Sequence, residues 1–281
     1  MEDIKDLMGS APCVGIIDSH AHYFDRRFEN EYEGGADRLL TEEVFPSGIE
    51  AIINVGTDPE NSLRCIEQAG KYKKMYAAVG IHPSDCQKLS GDALTEVEKI
   101  RALLDTVEKR RNNKIVAIGE IGFDYYWQPV LRERQREFFE LQLSLAEELG
   151  LPVIIHDREA HGDCFETVLK YPRVRGVFHS YSGSAEMARE LTRRGWYVSF
   201  SGVITFKNAR RVREVASQVD PERVLVETDC PYLSPEPFRG KLNSSARLCH
   251  TVAALAEALG KTVDETVSIT SANAREIFGL N

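Results

Sequence analysis

Short apolar and β-branched runs recur along the chain, and stretches with the periodicity of an amphipathic helix separate them. The eight predicted strands are residues 14–17, 51–55, 76–79, 115–118, 152–155, 176–178, 197–200 and 224–226. The predicted helices are residues 60–72, 93–111, 131–149, 159–171, 184–194, 208–215, 248–259 and 273–278. Strands that alternate with crossover helices form parallel sheets, and eight such units predict an α/β fold closed into a (β/α)8 TIM barrel. An open doubly wound sheet is the alternative, although it is expected to have fewer strands.

Histidines and carboxylates follow the apolar runs at the points where strands end. These positions are Asp18, His20, His22, Glu120, His156, His179, Glu227 and Asp229. The C-terminal ends of barrel strands converge on one mouth, so these side chains are expected to meet there and to bind metal ions. Each residue taken alone could be an ordinary turn or core residue, but coincidence explains the whole set poorly. Glu227 is expected to support a ligand or the fold and is left out of the ligand set.

The spacing within these segments predicts different roles. His20 and His22 are alternate residues of an extended segment, so both imidazoles can face one ion. Asp18 is expected to orient one of these imidazoles by hydrogen bonding. Glu120 lies between two glycines, Gly119 and Gly122, which leave its carboxylate room at the mouth, and this carboxylate can bridge two cations. Asp229 follows the last strand, where a carboxylate can ligate an ion and accept a proton from water as a general base.

Composition and charge limit the partners and the compartment. With 281 residues, 42% of them hydrophobic, residues 1–281 are expected to form a single barrel domain, with residues 1–12 as an N-terminal extension. The 35 basic and 44 acidic residues give a net charge of −9, so any anionic partner has to be bound locally. The start of the chain does not resemble a signal peptide, no run suits a membrane span, and the six cysteines are scattered. A cytoplasmic protein with reduced thiols and no membrane partner is therefore expected.

Several longer motifs together resemble one known family, the TatD family of metal-dependent deoxyribonucleases within the amidohydrolase-like barrels. The blocks that carry the resemblance include Asp18-Ser-His-Ala-His22, Gly80-Ile-His-Pro83, Gly119-Glu-Ile-Gly-Phe-Asp-Tyr-Tyr126, Ile155-His-Asp-Arg-Glu-Ala160, Phe178-His-Ser-Tyr-Ser-Gly183, Glu227-Thr-Asp-Cys-Pro-Tyr-Leu233 and Ser271-Ala-Asn-Ala-Arg-Glu-Ile-Phe278. The resemblance implies two divalent ions, Mg, Mn or Zn. It assigns the first to His20, His22, Glu120 and Asp229, and the second to Glu120, His156 and His179.

The same resemblance implies hydrolysis of DNA, with single-stranded DNA or DNA ends as the substrate. Water activated between the ions would attack phosphorus in line, and Asp229 and Glu120 would be the catalytic residues. The chain departs modestly from the usual family pattern. The loop around Arg239 lacks a second basic residue that is frequent in the family, so substrate contacts in this loop are expected to differ.

Other residues are candidates for substrate binding. His82 is expected to touch a phosphate, with a structural hydrogen bond as the equal alternative. Arg158, Lys207 and Arg239 lie on segments that should reach the rim of the barrel, although ordinary surface charge is an alternative for each. The aromatic residues 125–127 could stack on an unpaired base, but packing is the more common role of such residues.

Two other functions stay open at this stage. The first is hydrolysis of an amide or ester bond in a small molecule or an RNA adduct, as in related barrels. Many of those enzymes use a carboxylated lysine after strand four, whereas this chain has Glu120, which favours the nuclease. The second is a catalytically weak nucleic-acid-binding barrel. Such a protein would be expected to have lost a ligand, and here the set is intact.

Overall fold

Eight parallel strands form a barrel in the computed structural model, which describes residues 14–280. The strands are β1 (Ile16–Ala21), β2 (Ile49–Val55), β3 (Met75–Val79), β4 (Ile115–Asp124), β5 (Val153–Arg158), β6 (Gly176–Phe178), β7 (Tyr197–Phe200) and β8 (Val224–Val226). Each strand pairs with the next, and β1 meets the segment after β8. There the His22 N–H donates to the Cys230 carbonyl at 2.8 Å, and the Asp229 N–H donates to the His20 carbonyl at 2.9 Å. The predicted TIM barrel is confirmed.

Helices fill the connections between strands. The α-helices are α1 (Arg26–Glu31), α2 (Gly35–Leu39), α3 (Pro59–Lys71), α4 (Ala93–Leu103), α5 (Val107–Asn112), α6 (Arg132–Leu149), α7 (His161–Leu169), α8 (Ala185–Arg193), α9 (Arg210–Ala216), α10 (Leu248–Leu259) and α11 (Val263–Phe278). A π-helical turn spans Leu40–Val44, and 3-10 turns span Phe45–Ser47, Gly202–Thr205, Pro221–Arg223 and Ser245–Arg247. The helices α1 and α2 were not predicted, because their short stretches carry too little periodic apolar pattern.

Capping residues explain two errors in the predicted helix bounds. The predicted helix 93–111 is two helices, because the Thr106 side chain accepts the Lys109 N–H at 3.0 Å and starts α5 separately. The predicted helix 273–278 is only the end of α11. That helix starts at a capping box in which Thr262 and Glu265 each accept the other's backbone N–H.

Two apolar clusters alternate along the strands and mark the inside and outside of the barrel. The inner cluster takes one or more residues from every strand, among them Ile17, Ile53 and Ala117. Phe278, at the end of α11, packs against this inner cluster. The neighbouring strand positions belong to the larger cluster that lies between the strands and the helices. This alternation is the period of two expected for strands covered on both faces.

The strand pairing shifts register at four points, and two of these lie beside candidate ligands. Pairing register shifts between Asp18 and Ala21 in β1 and between Ile118 and Ile121 in β4. Simple alternation from the inner residues Ile17 and Ala117 would turn His20 and Glu120 toward the helices. The irregularities reverse that orientation, since such bulges re-aim side chains.

Three further expectations concern the N-terminal extension, membrane-spanning helices and the cysteines. The predicted extension 1–12 lies outside residues 14–280. Within that range, no helix combines the length and apolar character needed to cross a bilayer. The thiols of Cys65, Cys86, Cys164 and Cys230 are free and buried, as expected for reduced cysteines.

Candidate metal centre

Four side chains form a first group of potential ligands, three of them from the two sides of the barrel closure and the fourth, Glu120, from β4. His20 and His22 place their Nε2 atoms 3.0 Å apart. Glu120 Oε2 lies 3.3 Å from His20 Nε2 and 3.5 Å from His22 Nε2. Asp229 Oδ1 lies 3.7 Å and 3.3 Å from the same two nitrogens. The structure therefore brings together all four residues expected around the first ion.

The other oxygen of Glu120 faces a second group. Glu120 Oε1 lies 2.7 Å from His156 Nδ1 and 2.8 Å from His179 Nε2. The two imidazole nitrogens are 3.2 Å apart. His179 also stacks on His20, with ring centroids 4.1 Å apart, so it lies between the two groups. A single carboxylate thus contacts both sets of histidines, which is the arrangement expected of a bridging ligand.

The separations and the atom types fit divalent ions. Ligands at roughly 2.0–2.2 Å from one ion lie about 3.0–3.5 Å from each other, and imidazole and carboxylate groups suit Zn and other first-row ions. The observed separations of 3.0 to 3.7 Å in the first group fall near this range. The residues present therefore fit a metal centre. The fit is better for the first group. In the second group, Glu120 Oε1 lies 2.7 Å from His156 Nδ1 and 2.8 Å from His179 Nε2, and these are the distances of direct hydrogen bonds and not of two ligands on one ion.

Polar partners behind the site hold three of the histidines in orientation. His22 Nδ1 lies 2.7 Å from the Val55 carbonyl. His156 Nε2 lies 2.9 Å from Asp124 Oδ2, and His179 Nδ1 lies 3.3 Å from Glu227 Oε1. Such contacts fix the tautomer and leave the opposite nitrogen free to bind an ion.

The surroundings of Glu120 favour its ionised form. Burial raises the pKa of Glu120, but its electrostatic interactions with His179, His82 and His20 outweigh burial and hold the pKa well below its ordinary value. Burial lowers the pKa of His156, but hydrogen bonds to Asp124 and Glu120 reverse this and raise it to about 8.

His82 lies beside the second group, and its ring makes a T-shaped contact with His156 at 4.2 Å between centroids. The Ser84 N–H donates to His82 Nδ1 at 3.0 Å, so the neutral ring carries its proton on Nε2. That Nε2 lies 3.5 Å from Glu120 Oε1. Burial and the neighbouring His156 lower the pKa of His82 to about 4. His82 is therefore a neutral hydrogen-bond donor at pH 7.

Asp18 has different hydrogen-bond partners from the imidazole that was predicted. Its Oδ1 accepts the backbone N–H groups of His20 at 3.3 Å and Thr228 at 3.0 Å. Its Oδ2 accepts the Thr228 and Ser245 hydroxyls, each at 2.6 Å. No imidazole nitrogen is among its partners within residues 14–280, so the prediction that Asp18 orients an imidazole is wrong. The carboxylate instead joins β1 to the segment after β8, because the barrel closes at that point.

The candidate substrate-binding residues lie in two places, the wall of the cavity and the exposed loops beside it. Arg158 lines a cavity of about 910 Å³ above the metal centre, together with Trp127, His82 and Tyr232. Its guanidinium carbon lies 4.7 Å from the centroid of the Tyr126 ring. Lys207 and Arg239 are exposed on loops after β7 and β8 and do not line this cavity.

Asp124 is the residue of the site that the sequence did not indicate. It is 1% exposed, and besides His156 it accepts the backbone N–H groups of Tyr126 and Trp127, each at 2.9 Å. The available signal was its place near a strand end inside the motif around Glu120. That strand was predicted to end at Ile118, whereas β4 continues to Asp124.

A parallel barrel with two histidine groups joined by one carboxylate defines the class of metal-dependent hydrolases. Comparisons with known proteins agree. Residues 17–279 match the profile of the family described as TatD related DNase, and the chain belongs to the TatD family.

Individual relatives extend over nearly the whole chain. The chain is 37% identical over 269 residues to the uncharacterized metal-dependent hydrolase YabD of Bacillus subtilis, covering 95% of this chain and 100% of that protein. It is 37% identical over 280 residues to the uncharacterized metal-dependent hydrolase TatD of Mycobacterium tuberculosis, covering 94% and 98%. The crystal structure of the TatD homolog YjjV from Escherichia coli is similar with a TM-score of 0.86 at 29% identity, covering 96% and 100%.

Proposed function

We propose that this protein is a deoxyribonuclease that hydrolyses DNA phosphodiester bonds. The observation that carries the proposal is Glu120, which presents one carboxylate oxygen to each histidine group beneath an open cavity. Two divalent ions held by these residues would neutralise the phosphate and activate water. The remaining contributions come from the protein's own side chains.

Asp229 is the proposed general base. Burial raises its pKa, but the hydrogen bond from His22 and the charge of His20 outweigh this and keep it ionised. Its side chain is 15% exposed, the largest value among the first-group ligands, and it lines the cavity. A carboxylate that is both ionised and accessible can accept a proton from the attacking water at its oxygen.

His82 is the proposed donor to the substrate. Its Nε2–H is fixed by the Ser84 contact, and its ring lines the cavity. A neutral donor can hydrogen-bond a phosphate oxygen without competing for the metal ions. We therefore propose His82 for substrate binding, with His156 and His179 as ligands.

A cluster of exposed cations supports a polyanionic substrate. We call Lys207, Arg210, Arg211, Arg239 and Lys241 the basic rim. None of the five makes an ion pair within residues 14–280, whereas Arg193 and Arg194 pair with Glu190 at 2.8 and 2.7 Å.

The basic rim is formed by the segment after β7, which includes the first turn of α9, and by the loop after β8. The two are joined by the Glu236 N–H, which donates to Thr205 Oγ1 at 2.8 Å. Both follow strand C-termini, so they lie at the same end of the barrel as the cavity. In a chain of net charge −9, unpaired cations gathered at this end favour local binding of a phosphate backbone.

The direct test is cleavage of labelled single-stranded and duplex DNA in the presence of Mg²⁺, Mn²⁺ or Zn²⁺, with and without chelator. We expect chelator-sensitive cleavage, and we expect Asp229→Asn to lose turnover while it still binds DNA. Turnover of an ester, lactone or amide panel, with no chelator-sensitive cleavage of DNA, would replace the proposal with hydrolysis of a small molecule.

The salt dependence of DNA binding tests the basic rim separately. Each phosphate contact on a single strand contributes about −0.7 to the slope of log K against log salt concentration. The triple variant Lys207→Gln, Arg239→Gln, Lys241→Gln should therefore have a slope shallower by up to about 2. The matched control replaces three exposed cations, Lys73, Lys109 and Arg111, which precede β3 and β4 at the opposite end of the barrel. An equal change in both proteins would reject a specific role for the rim.

A further inference from the structure

The loop after β4 is tied directly to the second ligand group. Asp124 accepts the Trp127 N–H at 2.9 Å with one oxygen and contacts His156 at 2.9 Å with the other. The Asp124 carboxylate therefore connects the main chain of this loop directly to His156, a candidate metal ligand. Whatever the loop binds will lie close to the scissile bond.

The aromatic residues of this loop differ in the contacts that they make within the protein. Tyr125 already has partners within the protein. Its hydroxyl donates to Asp163 at 2.5 Å, and the Arg132 guanidinium lies 4.0 Å from its ring centroid. The Arg158 guanidinium stacks on the Tyr126 ring. Trp127 contacts the Tyr126 ring in a T-shaped arrangement at 4.9 Å between centroids.

Trp127 is 63% exposed and lines the cavity, whereas the other tryptophan, Trp196, is 3% exposed. An exposed indole at the wall of this cavity offers a flat apolar surface to a ligand. Within residues 14–280, the neighbouring Arg158 has no carboxylate partner, and its stacking on Tyr126 restricts the guanidinium. A flat apolar surface and an unpaired cation thus stand side by side above the second ligand group.

We propose that Trp127 and Arg158 form a nucleotide subsite next to the scissile phosphate, and this proposal rests on the proposed function. The indole stacks on an unpaired base, and the guanidinium pairs with the phosphate of the same nucleotide. Base stacking on an aromatic side chain tolerates every base, because each base has a π face. Trp127 is therefore a residue that selects for an accessible nucleobase and not for a base sequence.

Intrinsic fluorescence gives a readout that does not require cleavage. Wild type and Trp127→Phe are titrated in chelator with a short thymidine oligonucleotide and with an abasic oligonucleotide of the same length. We expect saturable quenching by the thymidine oligonucleotide in wild type only, and no quenching by the abasic one. Equal signals with both oligonucleotides, or quenching that persists in Trp127→Phe, would overturn the stacking role.

Steady-state kinetics with the metal-loaded enzyme gives the second readout. Trp127→Ala should raise KM for a single-stranded oligonucleotide at least tenfold with a much smaller change in kcat, and Trp127→Phe should recover part of the loss. The matched control is Leu131→Ala, an apolar side chain 45% exposed on the same loop that does not line the cavity.

The two proposals fail in different ways. An unchanged KM in Trp127→Ala refutes the subsite while the nuclease assignment stands. Absence of DNA cleavage by the wild type refutes the nuclease assignment, and the fluorescence titration still decides whether the indole stacks on a base.

Discussion

Replacing Asp124 with asparagine is expected to weaken the second metal site selectively. In the native protein the Asp124 carboxylate contacts His156 Nε2 at 2.9 Å, so the ring carries a proton on that atom and leaves Nδ1 to face Glu120. The other carboxylate oxygen accepts two backbone N–H groups of the following loop. An asparagine oxygen would keep those two bonds, which directs its NH2 group toward the ring.

An NH2 group is a donor, so it favours the tautomer in which Nε2 of His156 is the acceptor and Nδ1 carries the proton. That tautomer blocks the nitrogen expected to bind the ion. Loss of such an outer partner costs about 10- to 100-fold in metal affinity, or about 1.4 to 2.7 kcal/mol. The first site, which lacks Asp124, should keep its affinity.

Calorimetric titration of metal-free protein with Zn²⁺, checked by elemental analysis, separates the two sites. Asp157→Asn is the matched control, because Asp157 Oδ2 contacts His161 Nδ1 at 2.8 Å and His161 is not a candidate ligand. We expect the control to bind Zn²⁺ at both sites with wild-type affinity. We expect Asp124→Asn to keep wild-type affinity at the first site and to bind more weakly at the second. Two unchanged affinities in Asp124→Asn would refute the role of this carboxylate.

Three further changes test other parts of the structure. Glu120→Ala should retain at most one ion and lose activity, since both ligand groups share this carboxylate; elemental analysis showing two retained ions would contradict it. Asp18→Asn should lower the free energy of unfolding by about 1–3 kcal/mol, because one buried acceptor is lost, with unchanged metal content; thermal melting and metal analysis distinguish this from a role at the ions. The pKa of His156, raised to about 8, means that a proton competes with the ion below pH 8. Burial lowers the pKa of His179, the other imidazole of this site, but Glu120 and Glu227 outweigh burial and raise the pKa well above its ordinary value. Affinity at the second site should therefore rise at least tenfold per pH unit up to pH 8, with proton release on binding; affinity that is independent of pH between 6 and 8 would argue against these histidines as ligands.

The sequence determined the architecture and the chemistry of the ligand set. Apolar runs with intervening helical periodicity were enough to place every strand, because a barrel strand covered on both faces must be almost wholly apolar. The ligands could be chosen from their position after these runs, since parallel strands of a barrel end at one mouth. Short helices were missed, and so were the extensions of β1 to Ala21, β4 to Asp124 and β5 to Arg158, because these stretches carry weak periodic patterns.

Only the tertiary structure decided how those side chains face the site. The register shifts that turn His20 and Glu120 inward depend on pairing with neighbouring strands, which no local pattern encodes. The partners of Asp18 and Asp124 also belong to other strands or loops, so their roles were settled when the barrel closed. Residue type and spacing thus specify which groups are available, whereas contacts between distant segments determine the direction in which each group acts.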